Sequence, residues 1–465
     1  MIWTLALGAT LADPLASVDW DAATTEAAGL LSTYLQLDTV NPPGNESLGA
    51  EFLGRVLEGE GIPYRVYETT PGRASLVARV AGGDEPPLCL LSHIDVATAE
   101  PARWPDGAGP LSGTIDDHGR IWGRGALDMK GLGIVELMTL LQVQRLGWTL
   151  DRDLVLIAVA DEEVDNTGMQ LLVDEHWDEL GCGHVINEGG IGVRDLLFEG
   201  QTAFAVSVGE KGVLWLRMTA TGAPGHGSTP RPGEAPDILL DALARLRAHE
   251  PEPRVHPALW ELLEAAAVAG SGVEHFVLMR PALRARLVTP TLMADPLTRA
   301  GVTDTIHITG LEGANKPNVV PSQVSALLDC RLLPGTTPEE HLARLTAIVD
   351  DERIAFEVLS ARAGSVSEWR GDPVYEALVR RAVMGKPHAV AGPVISPGYT
   401  DSIVVRPLGA RAFGLAPFEV TLEEAATMHG DGEYLSTENL THGLQVLLGV
   451  VADVALSPAA APPGP

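Results

Sequence analysis

The sequence predicts an α/β protein in two parts, a layered domain with a mostly parallel sheet and a smaller α+β domain inserted into it. Three observations carry this reading. At 465 residues the chain exceeds the roughly 250–300 residues at which a single core stops growing. Up to residue 212, nearly continuous apolar runs alternate with helical segments, as strands covered on both faces do. Beyond Gly209–Gly212 (GEKG) the strands become half-exposed and alternating, so a different kind of sheet begins.

The elements follow in chain order. Residues 74–80, 88–94, 154–160, 185–186 and 204–208 have strand character. Residues 129–146 are long and apolar enough for a buried helix, and 171–180 read as a more exposed one. This alternation suggests a layered α/β domain. Next come an alternating strand at 213–221, an amphipathic helix at 235–250, strand character at 319–333, a helix at 337–349 and a strand at 354–359. Such a β-α-β-β-α-β set makes a small sheet with helices on one face. The stretch 251–299 interrupts it as an insertion. Helical 374–383 and apolar 440–454 then resume the first style. The expected organisation is a leader or flexible N-terminus at 1–20 and a main domain at 21–212 and 363–456. An inserted domain occupies 213–362, with its insertion near 251–300, and a disordered tail 457–465.

Composition removes several function classes. The 32 basic and 62 acidic side chains give a net charge of −30. Nucleic acid and anionic membranes both need clustered Lys or Arg, so neither is an expected partner. No stretch is long enough to span a bilayer. The apolar run 2–12 lacks the basic start of a signal peptide. A soluble protein follows, cytoplasmic or exported through that segment. Cys89, Cys182 and Cys330 are widely spaced, and the expectation is no disulfide framework and no thiolate zinc site.

The chemistry lies in acids and imidazoles where strands should end. Ser92-His93-Ile94-Asp95 follows an apolar run. Residues two apart share a side of an extended segment, so Asp95 can hold one nitrogen of His93 while the other binds a metal. In Gly123-Arg124-Gly125-Ala126-Leu127-Asp128-Met129-Lys130-Gly131, glycines surround a carboxylate just before a buried helix. A phosphate loop is the rival reading, but Walker spacing and the dinucleotide glycine pattern are both absent. Asp161-Glu162-Glu163 and Asn187-Glu188-Gly189-Gly190 each follow an apolar strand, where ligand sites of α/β sheets lie. Singly, each motif is as readily structural. Together they put His93, Asp128, Glu163 and Glu188 on one rim, and His with carboxylates suits catalytic zinc, with cobalt or manganese as alternatives.

With these motifs on view, the chain resembles the di-zinc metallopeptidase family of aminoacylase, glutamate carboxypeptidase, succinyl-diaminopimelate desuccinylase and carboxypeptidase S. The matching stretches are SHIDV, GRGALDMKG, DEE, NEGG, GEKG, PGHGS, KPNVVPS, LDCRLLPG, PGYTDS and MHGDGEYL. They are ordered as in the family, cover nearly the whole chain, and look closest to the carboxypeptidase S-like branch. The resemblance implies a zinc-peptidase-like main domain with a ferredoxin-like inserted lid, and a monomer or a homodimer formed through that lid. It implies that His93, Asp128 and Glu188 hold one ion, and Asp128, Glu163 and His429 the other. Glu162 would be the general base, Asp95 would orient His93, and His226 would come from the lid to stabilise the oxyanion. Asn318 and Arg331 would help bind the substrate carboxylate, with Gly398 lining the same pocket. His429 rests on the resemblance alone. Two departures, Asp431-Gly432-Glu433 and Val96-Ala97-Thr98, bear on the substrate-side loops.

The expected reaction is water-driven cleavage of an amide bond next to a free carboxylate, in a peptide, dipeptide or N-acyl amino acid. Alternatives are an N-acyl amino acid synthase using the same site reversibly, and a catalytically silent metal-binding relative. Glu162 together with every ligand argues against the last.

Overall fold

The computed structural model describes residues 13–269, 272–313 and 316–457. The apolar run 2–12 and the tail from 458 onward, read above as leader and disordered end, lie outside the described residues. The chain divides into two compact units. The first takes Met1–Phe204, Trp369–Ala389 and Leu415–Pro465, and the second takes Ala205–Glu368 and Val390–Gly414.

In the first unit the strand Glu85–His93 pairs in parallel with Arg152–Val159 on one side and His184–Arg194 on the other. Towards the edge the pairing turns antiparallel, through Arg73–Val80 and Tyr64–Thr70. Central strands are covered on both faces, which explains their unbroken apolar character: Leu88, Cys89, Leu90 and Leu91 are all fully buried. The helix Lys130–Arg145 is buried along almost its whole length. It packs against the strand Glu85–His93 and between the helices Trp20–Leu35 and Thr437–Val454, so it shows no polar stripe.

The second unit holds a four-stranded antiparallel sheet of Gly212–Thr221, Thr305–Glu312, Gln323–Leu332 and Ile354–Arg362. In space, Gln323–Leu332 lies between Thr305–Glu312 and Gly212–Thr221, and Ile354–Arg362 lies beyond the latter. Helices Ala235–Ala248 and Pro338–Val349 bury Leu239, Leu243, Leu345 and Val349 in one core with this sheet's Leu216, Met218 and Leu328. This is the β-α-β-β-α-β arrangement. Helices Pro257–Ala269, Val273–Leu278, Pro281–Ala294 and Pro296–Val302 fill the inserted stretch. The strand expected at 319–333 is broken into Val319–Val320 and Gln323–Leu332, because Pro321 between them has no N–H for a ladder.

One expectation is overturned. Cys89 and Cys182 form a disulfide, with Cα atoms 5.8 Å apart across a sequence separation of 93. Parallel pairing sets Cys89 opposite Val185 at the start of the neighbouring strand, and the turn before that strand carries Cys182 to it. Spacing along the chain is blind to such proximity. Cys330 is the free, buried thiol, and burial pushes its pKa up to about 12. No helix among the described residues is long and apolar enough to cross a membrane.

Candidate metal centre

The first unit brings His93, Asp128, Glu162, Glu163, Glu188 and His429 together. His93 closes its strand, and Glu162 and Glu163 follow the neighbouring strand Arg152–Val159. Glu188 lies inside the longer strand His184–Arg194, just past Ile186, the last residue paired with the central strand. Parallel strands place these positions on one edge of the sheet. Nε2 of His93 is 3.2 Å from Oδ1 of Asp128 and 3.7 Å from Oε1 of Glu188. Nε2 of His429 is 3.1 Å from both Oδ2 of Asp128 and Oε2 of Glu163. Asp128 therefore stands between the two imidazoles, one oxygen facing each. Donor atoms of His93, Glu162 and Glu188 lie within 4.8 Å of one another, as do those of His93, Asp128 and Glu163.

The tautomer of His93 follows from its other nitrogen. Nδ1 lies 2.8 Å from the main-chain carbonyl oxygen of Asp95, an acceptor, so Nδ1 carries the proton. The Nε2 lone pair then points at carboxylates, which are acceptors themselves. Only a proton or a cation resolves that conflict. Burial alone would lower the His93 pKa, but the hydrogen bond to Asp128 and the charges of Glu188 and Glu162 hold it well above its ordinary value. The bonds to Asp128 and Glu163 raise His429 to about 10. Burial would raise Asp128, yet the two imidazoles keep it well below the usual carboxylate range. Oε1 of Glu163 is buried without a hydrogen-bond partner. An orphaned carboxylate oxygen among imidazoles suits a cation, and the mixed donor set, without a thiolate, suits zinc.

The outer contacts revise one expectation. The Asp95 carboxylate lies 3.7 Å from Nδ1 of His93, so the backbone carbonyl holds the ring. That carboxylate instead accepts the N–H groups of Glu162 and Glu163, each at 3.1 Å, and the Asn41 amide at 2.8 Å. The turn it supports starts at Asp161, whose φ of 71° is left-handed. Such a conformation costs a non-glycine residue about 1–2 kcal/mol. Asp161 is held there by Arg73 and Asn41 on Oδ1 and by Thr167 on Oδ2.

Glu433 was legible only as a departure from the family pattern, yet it is fully buried. Its carboxylate accepts the N–H groups of Gly125, Leu127 and Asp128 and pairs with Arg124 at 2.5 Å. A signal was present, since a glutamate near a candidate histidine and a glycine-rich loop rich in free N–H groups are complementary. Their separation in sequence hid it. Nζ of Lys130, the first residue of the helix that follows this loop, donates to the carbonyls of Tyr34 and Leu37.

The remaining candidates lie in the second unit. His226 pairs with Val319, and the Gly227 N–H donates to the Asn318 carbonyl at 2.9 Å, so the PGHGS and KPNVVPS segments lie side by side. Nδ1 of the exposed His226 ring accepts the Ser228 N–H at 3.2 Å, leaving its proton on Nε2, the tautomer that donates outward. Arg331 grips Asp329 at 2.8 and 3.0 Å and lies over the ring of Tyr399, the neighbour of Gly398. The N–H of Thr400 in that PGYTDS loop donates to Glu210 of GEKG, which in turn pairs with Arg406.

Comparisons with known proteins bear on the family and the fold. The family model described as Peptidase family M20/M25/M40 matches residues 89–453. Aminoacylase-1 of Mus musculus is 26% identical over 441 residues, covering 92% of this chain and 95% of that protein. A probable carboxypeptidase S-like protein of Dictyostelium discoideum is 26% identical over 375 residues, covering 78% of this chain and 71% of the relative. Among solved structures, a family M20 metallo-carboxypeptidase of Sulfolobus solfataricus shares the fold, with a TM-score of 0.70 at 17% identity, over 92% of this chain and 99% of that one.

Proposed function

The chain belongs to Peptidase family M20/M25/M40, whose members are metal-dependent hydrolases of amide bonds, and on that premise we propose that it cleaves an amide bond adjacent to a free carboxylate. The substrate class is a peptide C-terminal residue, a dipeptide or an N-acyl amino acid. The supporting observation is that His93 turns a lone pair towards the carboxylates of Asp128 and Glu188. Such an array is stable only around positive charge.

In this reading His93, Asp128 and Glu188 hold one divalent ion, and Asp128, Glu163 and His429 hold a second, zinc being the metal their chemistry fits. Two such ions supply a water acidified from a pKa of about 15.7 towards about 7. Glu162 accepts the proton of that water and returns it to the departing amine, so one carboxylate acts as base and then as acid. Asp95 aims Glu162 by holding its N–H. His226, with its proton on Nε2, is assigned to the developing oxyanion, and a lost donor of this kind costs about 2.7–4 kcal/mol. Asn318 and Arg331 are assigned to the substrate carboxylate, and Gly398 to the lining of the same pocket. These second-unit roles, and that of the second unit as a lid, rest on the resemblance of their motifs.

The test is a metal analysis of the purified chain combined with a panel of N-acyl amino acids and dipeptides. Hydrolysis should stop on treatment with a chelator, return with Zn²⁺, and fail on substrates whose carboxylate is amidated. Undiminished hydrolysis by fully stripped protein would overturn the reading.

A further inference from the structure

We propose that Arg124 and Glu433 are positioning residues that lock the Asp128 and His429 loops together and so set the geometry of the second ion's ligands before any metal arrives. This rests on the dinuclear reading above.

The two imidazoles of the centre are held in different ways. His93 is only 2% exposed and is fixed by its strand and by packing. The side chain of His429 is 57% exposed, and its backbone adopts a left-handed φ of 56°. Packing does not fix this ring, and the conformation is one that a non-glycine residue keeps only when its surroundings impose it. The imposing group is Arg124. Its guanidinium donates to the carbonyls of Thr427 and Gly430, which flank His429.

The same guanidinium pairs with Glu433, 309 residues away in sequence. Glu433 uses Oε1 for the N–H groups of Leu127 and Asp128 and Oε2 for that of Gly125. Both of its oxygens already face donors, so it is not a metal ligand in reserve. One buried ion pair therefore fixes the backbone of Asp128 with one end and that of His429 with the other. Arginine suits the task, because its planar fork reaches several acceptors at once, where a lysine offers a point charge. A buried pair is a poor source of stability for its own sake. Its return here is geometry: Nε2 of His429 stands 3.1 Å from Oδ2 of Asp128.

The test compares Arg124→Lys and Glu433→Gln with the wild type, using the full chain and Zn²⁺ and Co²⁺ alone as probes. In a folded variant, the ion held by His429 and Glu163 should bind about 10–100-fold more weakly, the usual cost of losing an outer partner. The ion held by His93 and Glu188 should change less, and the Co²⁺ absorption spectrum should lose the contribution of one site. Folded variants that bind both ions with wild-type affinity would overturn the proposal. If neither variant folds, hydrogen exchange on metal-stripped wild type decides. The amides of Leu127 and Asp128 should stay protected, since Glu433 rather than metal holds them, and exchange at open-loop rates would overturn the clasp. A wild type that binds fewer than two ions would instead overturn the dinuclear reading, and the clasp with it.

Discussion

Nδ1 of His93 lies 2.8 Å from the backbone carbonyl of Asp95 and 3.7 Å from that residue's carboxylate. The main chain thus orients the ring, and the side chain is left free to serve the next loop. Its oxygens accept the N–H groups of Glu162 and Glu163. Asp95 therefore bears on the backbone of Glu162 and Glu163 more than on the ring of His93.

Asp95→Asn tests this. The amide keeps one acceptor oxygen but turns an NH₂ group towards one of those two N–H donors. The expected result is a kcat about 10–100-fold lower, with the ion at His93 and Glu188 still bound. Steady-state kinetics beside metal analysis would show it, and an unchanged kcat would mean the turn does not depend on Asp95.

Glu162→Gln separates a base from a ligand. A general base contributes about 10²–10⁴-fold, so kcat should fall by that order while both ions remain. The distinction matters because the Glu162 carboxylate lies among the donors around His93. Loss of one metal equivalent in the variant would make Glu162 a ligand and leave the base unassigned.

A second buried imidazole sets a pH dependence of stability. His442 donates from Nε2 to the carbonyl of Ala382 at 3.1 Å. Burial first, then the charge of Lys386, push its pKa down to about 4 from the ordinary 6.5. Between those values the unfolded chain binds a proton that the folded chain refuses, so stability falls as pH drops from 6.5 and the loss levels off near 4. His442→Gln keeps a donor but does not titrate. Melting temperatures measured from pH 7 to 4 should fall less steeply in the variant, and parallel curves would discard the assignment.

The disulfide gives a thiol count. Of the three cysteines, Cys89 and Cys182 are joined and Cys330 is free. Disulfides persist in oxidising surroundings. Protein purified without reductant and then denatured should therefore release one titratable thiol, rising to three after reduction. Three thiols before reduction would mean the bond is not formed.

Much of the centre was legible along the chain. His93, Glu162, Glu163 and Glu188 each follow a short apolar run, and strand periodicity alone carries such residues to one edge of a parallel sheet. The β-α-β-β-α-β unit was readable for the same reason, since alternation is a local property. His429 was not, because it follows no apolar strand and the carbonyls that flank it are held by Arg124 from a distant loop. The supports of Asp128 and of the Glu162–Glu163 turn were hidden likewise, and so was the bond between Cys89 and Cys182. Sequence determined which candidate groups lie where strands end, since local hydrophobic pattern decides where a strand stops. Only the tertiary structure decided what holds those groups in register. Hydrogen bonds and ion pairs between segments hundreds of residues apart depend on distances in space, and pattern along the chain does not encode them.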